Sequence, residues 1–229
     1  MFKTKVLLPV IALIAILAIG GAIYYFGGKT TGEVADDTTD TSAVVARVDG
    51  VEITRSAMDA RIAQVKSAGQ AQIPAEDAPE YVQFEEAVLA QLINEELFLK
   101  DAVRIGLAPK DADVDAQFVQ VKGQFEDEAA FEAQLAAVGL TEGVLRADIE
   151  RQLTLTAYYQ KVQADSEITV SGEEAQAVYD QVAESQELNV TFEDAKADIV
   201  TQLTQQKLNT ALSQKATELR ADASVETLL

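Results

Sequence analysis

The sequence predicts a mainly α-helical, multi-helix fold with a small β-sheet, preceded by a transmembrane helix. Three observations support this prediction. A long uncharged apolar run stands near the N-terminus, and apolar residues beyond residue 54 recur mostly at helical spacing. Between these regions, the stretch VVARVDGVEIT contains two short runs rich in β-branched residues around an Asp-Gly pair. A membrane segment, a hairpin and a helical body therefore follow one another along the chain.

The apolar run extends from Val6 to Phe26, which is about 31 Å as a helix and matches the hydrocarbon core of a bilayer. Lys3 and Lys5 precede it, while every acidic residue of the chain follows Lys29. The positive-inside tendency then predicts a cytoplasmic N-terminus at residues 1–5 and a single-pass signal anchor in the cell membrane. The rest of the chain would be extracytoplasmic, either periplasmic or at the cell surface. A cleaved signal peptide is the alternative, but its apolar region is shorter and ends at small residues.

Residues 27–42 follow the apolar run and are rich in Gly, Thr and Asp, with almost no apolar side chains. This composition predicts a flexible linker, because it offers too little apolar surface to bury in a core. Residues 43–229 are then predicted to form one extracytoplasmic helical domain.

The domain is predicted to begin with a β-hairpin from Val44 to Thr54. Asp49-Gly50 suits a type I′ turn, in which both central residues need a positive φ. Two strands alone are marginally stable in water, so a third strand is expected. The C-terminal segment ASVETLL, residues 223–229, is the candidate for it.

Two helices are predicted to follow the hairpin. Thr54 can cap a helix that begins at Arg55 and continues to about Ser67. A long helix is predicted over 80–105, ended by Gly106. Its inward stripe at helical spacing consists of Val88, Leu89, Leu92, Ile93 and Leu97.

The same periodicity predicts the remaining helices. One of them opens with a capping box of Ser171 and Glu174 and ends near Glu184. The others cover about 111–123, 127–139, 141–163 and, as a long final helix, 191–223. In the 141–163 helix the residues predicted to face inward are Val144, Leu145, Ile149 and Leu153. In the final helix, the residues near one face are Phe192, Ala195, Ile199, Leu203, Leu208, Leu212 and Leu219.

This order of elements resembles the N-terminal domain of SurA-type chaperones and their relatives, which include PrsA-type foldases. The resemblance rests on VARVDGVEIT, on AVLAQLINEELFLKDAVRIGLAPKDADVDAQF and on FEAQLAAVGLTEGVLRADIERQLTLTAYY. ITVSGEEAQAVYDQV is similar to the linker of that family into its isomerase domain, and TFEDAKADIVTQLTQQK to its returning helix. The resemblance covers nearly all of 43–229. It implies that the hairpin pairs with a strand from the end of the chain.

The sequence departs from the full-length family in one respect. Full-length members carry one or two parvulin-type isomerase domains before the returning helix, and such a domain needs roughly a hundred residues. Here only ESQELNV, Glu184–Val190, stands at that point, and the chain contains none of the histidines that the site of the family uses. The sequence therefore predicts a protein without prolyl isomerase activity.

Other chemistry is not predicted either. The chain has no His and no Cys for a metal cluster, and no Ser-His or Cys-His pair. Paired carboxylates could bind calcium, but the spacing of an EF-hand with its central Gly is missing. We expect no cofactor and no enzyme activity. The formal net charge is −20. Such a surface repels nucleic acid, so we expect no nucleic-acid partner.

The resemblance implies a membrane-anchored extracytoplasmic chaperone, or holdase, that binds unfolded or newly exported polypeptides. The alternative is an anchored scaffold or assembly factor that docks one specific envelope protein. A homodimer that exchanges the long final helix is a further hypothesis, since ESQELNV is a short hinge.

Aromatic and apolar residues on the shorter central helices and in TAYYQK are the predicted contacts with a client peptide. They are Phe118, Phe125, Phe131, Leu135, Tyr158 and Tyr159. The alternative for each is an ordinary place in the core. Tyr158 and Tyr159 are the stronger candidates, because adjacent residues on a helix point about 100° apart and cannot both face one core.

Overall fold

A computed structural model describes residues 43–68, 73–185 and 190–229. In these ranges it contains three strands and seven helices. The strands are β1 (Val44–Val48), β2 (Val51–Thr54) and β3 (Val225–Thr227). The helices are α1 (Arg55–Ala68), α2 (Glu80–Arg104), α3 (Asp111–Lys122), α4 (Glu128–Ala137), α5 (Glu142–Asp165), α6 (Gly172–Ser185) and α7 (Phe192–Asp222). The predicted mainly α-helical fold with a small sheet is confirmed.

The sheet joins the two ends of the described chain. Its order is β2-β1-β3, and both neighbours of β1 are antiparallel to it. The turn between β1 and β2 has φ of 48° at Asp49 and 88° at Gly50, as the predicted turn requires. The N–H of Asp49 donates to the carbonyl of Ser224 at 2.7 Å, and the Asp49 carboxylate accepts from the N–H of Ser224 at 2.7 Å. The turn itself therefore binds the residue before β3.

Helices α1 and α2 pack on the sheet and form a hydrophobic core with it. Thr54 ends β2 and caps α1, where its hydroxyl accepts from the N–H of Ala57 at 3.2 Å. The predicted stripe of α2 is buried along its whole length. Lys100, near the end of α2, donates to the carbonyl of Val48 at 2.9 Å. This contact fixes α2 against β1.

The chain divides into two compact units. The first contains the described residues up to Leu155 together with Asp222–Leu229, and the second contains Thr156–Ala221. Helix α5 contributes to both units, as does α7 with its last residue. The domain boundaries predicted from the sequence, including a single domain over 43–229, stay predictions.

The described ranges contain no helix with both the length and the apolar composition needed to cross a membrane. The predicted cytoplasmic N-terminus, the signal anchor at 6–26 and the linker at 27–42 lie outside the described residues.

Candidate polypeptide-binding site

Three of the predicted contact residues lie in a buried core that α3, α4 and α5 form in the first unit. Phe118, Phe131 and Leu135 are all buried, and Phe131 is wholly inaccessible to solvent. The rings of Phe118 and Phe131 meet edge to face, with their centroids 5.7 Å apart. Such a contact stabilises the packing of α3 against α4.

Phe125, between α3 and α4, is half-buried at the margin of this core. Its ring lies 5.5 Å from that of Phe131, again edge to face. One side of the ring therefore packs on the core, and the remainder is accessible to a binding partner.

The two tyrosines belong to the second unit. Tyr158 is buried and Tyr159 is half-buried. The difference agrees with the prediction that both cannot face the same core. The six residues thus lie in two units, and only Phe125 and Tyr159 retain substantial exposure. Burial fits the alternative of core residues for the other four, while the role of all six in binding a client stays a prediction.

A partly buried ion cluster in the first unit was not predicted from the sequence. Glu95 on α2 accepts from Arg61 on α1 at 2.6 Å and from Arg151 on α5 at 3.0 Å. A second carboxylate of α2, that of Glu96, lies 3.6 Å from Arg151. Burial opposes ionisation of Glu95, but the charges of Arg61 and Arg151 outweigh it and hold the pKa of Glu95 below its usual value. The cluster therefore ties three helices together through charges.

Asp148 on α5 lies one helical turn from Arg151 and is only 8% exposed. Its Oδ2 has no hydrogen-bond partner among the described residues. Burial raises the pKa of Asp148 to about 7, although the charge of Arg151 opposes the rise. This carboxyl group therefore changes its protonation state near neutral pH.

An open groove of about 570 Å³ lies within the second unit. One wall is the segment between α5 and α6, and the other is the middle of α7. The groove is lined by Ser166, Glu167, Ile168, Thr169, Leu203, Gln206, Lys207, Thr210, Ala211 and Gln214. We call it the amide groove, after the glutamine side chains on its α7 wall.

Lys207 connects the two walls of the amide groove. Its ammonium group donates to the carbonyl of Thr169 at 2.7 Å and to the carboxylate of Glu174 at 2.6 Å. Lys207 also holds the pKa of Glu174 below its usual value, together with the N–H of Ser171. Ser171 and Glu174 form the predicted capping box, which is confirmed. The start of α6 thus positions the cation that closes the groove on one side.

Metal binding has no support in the described ranges, where no group of carboxylates is arranged to hold an ion. The side chains of the half-buried aromatic residues and of the amide groove are mostly apolar, amide or hydroxyl groups. Such groups can bind a chain non-covalently through contact and hydrogen bonds.

The structure is thus a mainly helical fold in which a small sheet joins the two ends of the described chain. Comparison with known proteins gives the family. Residues 2–158 match the model of the SurA-like N-terminal domain, so the chain belongs to that family. The predicted resemblance is confirmed.

Two curated relatives carry the name Chaperone SurA. The relative from Chromobacterium violaceum is 35% identical over 141 residues, which are 61% of this chain and 32% of that protein. The relative from Saccharophagus degradans is 34% identical over 113 residues, which are 49% of this chain and 26% of that protein. The similarity therefore spans about a third of the length of these relatives or less.

Proposed function

We propose that the protein is a chaperone that binds unfolded or newly exported polypeptides and keeps them from aggregating. The observation that carries the proposal is membership of the SurA-like N-terminal domain family, together with relatives named as chaperones. The absence of His and Cys from the sequence favours binding over catalysis, and we include the lack of isomerase activity in the proposal.

The proposed chaperone is anchored in the cell membrane and works on its extracytoplasmic side. The uncharged apolar run from Val6 to Phe26 and the lysines before it support this placement. A tethered chaperone would meet exported chains as they leave the membrane. The acidic surface would repel other copies of itself and favour cationic client segments.

Phe125 and Tyr159 are the first client contacts in this proposal, because their rings are half-buried and so remain accessible. Each offers an aromatic surface that binds apolar side chains without a defined sequence. The other four candidates are buried and could contact a client only after local unfolding exposes them. They are Phe118, Phe131, Leu135 and Tyr158.

A scaffold that docks one specific envelope protein is the second candidate. The buried packing of Phe118, Phe131 and Leu135 favours it, because a well-packed core holds the surface around it in one shape, and a rigid surface selects one partner more readily than a mobile one. The dimer by exchange of α7 stays a prediction, since residues 186–189 of its hinge lie outside the described ranges.

Photo-crosslinking in the native envelope distinguishes the two candidates. A photoreactive residue replaces Tyr159 in the full chain, and a control variant carries it at Glu150, which is exposed on the same helix. The chaperone proposal predicts many crosslinked proteins from Tyr159 and few from Glu150. A single product from Tyr159 supports the scaffold, and equal yields from both positions contradict a client contact at Tyr159.

A further inference from the structure

The α7 wall of the amide groove carries no acidic residue. From Ile199 to Thr217 the sequence has no Asp or Glu, although the chain contains 38 acidic residues. Besides Lys207, this part of α7 presents the uncharged polar side chains of Gln206, Thr210 and Gln214 to the groove. An amide side chain is both a hydrogen-bond donor and an acceptor, as is a peptide group.

The charged groups beside the groove do not recruit a charged ligand. Lys207 already donates to Thr169 and Glu174, so its charge is balanced within the unit. Glu167 is the remaining charged residue of the lining and is exposed at the other wall. An anion would therefore meet no free cation among the lining residues, and a cationic segment would meet a single solvated carboxylate.

The opposite wall supplies backbone groups and an apolar side chain. Ile168 is half-buried in the groove, as are Leu203 and Ala211 across from it. The backbone N–H of Thr169 has no hydrogen-bond partner among the described residues. This N–H can therefore donate to a carbonyl group of a bound polypeptide segment.

We propose that the amide groove binds an extended, uncharged segment of an unfolded polypeptide. The backbone of that segment pairs with the amide side chains of Gln206 and Gln214, and its small apolar side chains contact Ile168, Leu203 and Ala211. The volume of about 570 Å³ suits a short stretch of chain. The inference rests on the proposed chaperone function and names one site for it.

A charge placed inside the groove tests the proposal against the same charge placed outside it. The test variant is Gln206→Glu with Gln214→Glu, which adds two carboxylates to the lining. The control is Gln205→Glu with Ser213→Glu, which adds the same charge to the same helix at equal spacing. All four positions are exposed, and Gln205 and Ser213 do not line the groove. Both variants should fold normally, as far-UV circular dichroism would verify.

The probe is a short capped peptide without charged residues, built from Ser, Thr, Val and Tyr, and binding to the full chain is measured by calorimetry. The test variant should bind about tenfold more weakly than the wild type, because an uncharged peptide desolvates the added carboxylates. The control variant should keep the affinity of the wild type.

Two results would overturn the inference and leave the chaperone function intact. In one, the test variant and the control variant bind the peptide with the same affinity. In the other, the wild-type protein delays aggregation of a denatured protein but does not bind the peptide. If the wild type neither binds unfolded polypeptide nor delays aggregation, the proposed function itself fails.

Discussion

Glu95 shows how single residues hold the first unit together. Its two oxygens accept from Arg61 and Arg151, which stand on different helices. The carboxylate is half-buried, so water screens these charges less than it would on the surface. Loss of the carboxylate would leave two guanidinium groups facing each other between packed helices. Glu95 therefore stabilises the packing of helices that are far apart in sequence, and no local sequence pattern predicts these ion pairs.

Asp148 makes the stability of the protein depend on pH between about pH 4 and pH 7. Folding raises the pKa of the Asp148 carboxyl group from 3.8 to about 7. At pH values between these two, the folded chain therefore binds more protons than the unfolded chain. The free energy of unfolding therefore falls as the pH rises through this window. Ionised Asp148 costs at most about 4 kcal/mol above pH 7, since one pKa unit corresponds to about 1.4 kcal/mol.

The variant Asp148→Asn should remove this cost. We expect its free energy of unfolding to exceed that of the wild type by about 2–4 kcal/mol at pH 8 and to differ little at pH 4. Urea denaturation at a series of pH values measures the difference. Glu150→Gln is the control, because Glu150 is exposed on the same helix. An equal gain at pH 4 and pH 8 would contradict the assignment to the Asp148 carboxyl group.

At the scale of elements, the hairpin turn is the part that organises the sheet. Gly50 has φ of 88°, and a Cβ at this position would meet no atom within 4 Å. A side chain there is therefore strained by the backbone conformation alone. We expect Gly50→Ala to lower the free energy of unfolding by about 1–2 kcal/mol.

Gly172→Ala is the matched control for the turn. A Cβ at Gly172 also meets no neighbour, but this residue lies in the first turn of α6 and has no positive φ. Alanine there should be neutral or slightly stabilising, because it favours the helical conformation. If both substitutions had the same effect in thermal unfolding, strain at the β1–β2 turn would not be the cause.

The bounds of most elements could be predicted from the sequence, because caps and periodicity are local. Thr54 caps α1 as expected, and α2 ends at Arg104, within one residue of the prediction. Strand β3 was predicted within residues 223–229 because a hairpin needs a third strand, and it consists of Val225–Thr227. The bulge in β1 was not predicted. There the carbonyl of Val45 pairs with the N–H of Leu228 at 2.8 Å, while the register with β2 shifts.

Long-range features account for what the sequence did not predict at the site. Phe118 and Phe131 lie on different helices, and only the packing of α3 on α4 decides that both rings are buried. The amide groove likewise depends on how the segment around Thr169 crosses α7. The acid-free part of α7 is visible in the sequence, but its partner wall is not.

At the scale of the whole molecule, the net charge and the family match bear on the proposed binding of unfolded polypeptides. A net charge of −20 discourages binding to nucleic acid. The family is known from residues 2–158, whereas all the lining residues of the amide groove lie beyond them. The proposed client binding therefore combines a family property with a surface specific to the second unit.

Delay of aggregation tests the central proposal most directly. The full chain in detergent micelles is added without ATP to a chemically denatured, aggregation-prone protein, and light scattering is followed over time. An equally acidic protein in the same micelles serves as the control. We predict that the full chain delays the rise in scattering in proportion to its concentration while the control does not. Scattering that is unchanged at a several-fold molar excess of the full chain would contradict the proposal.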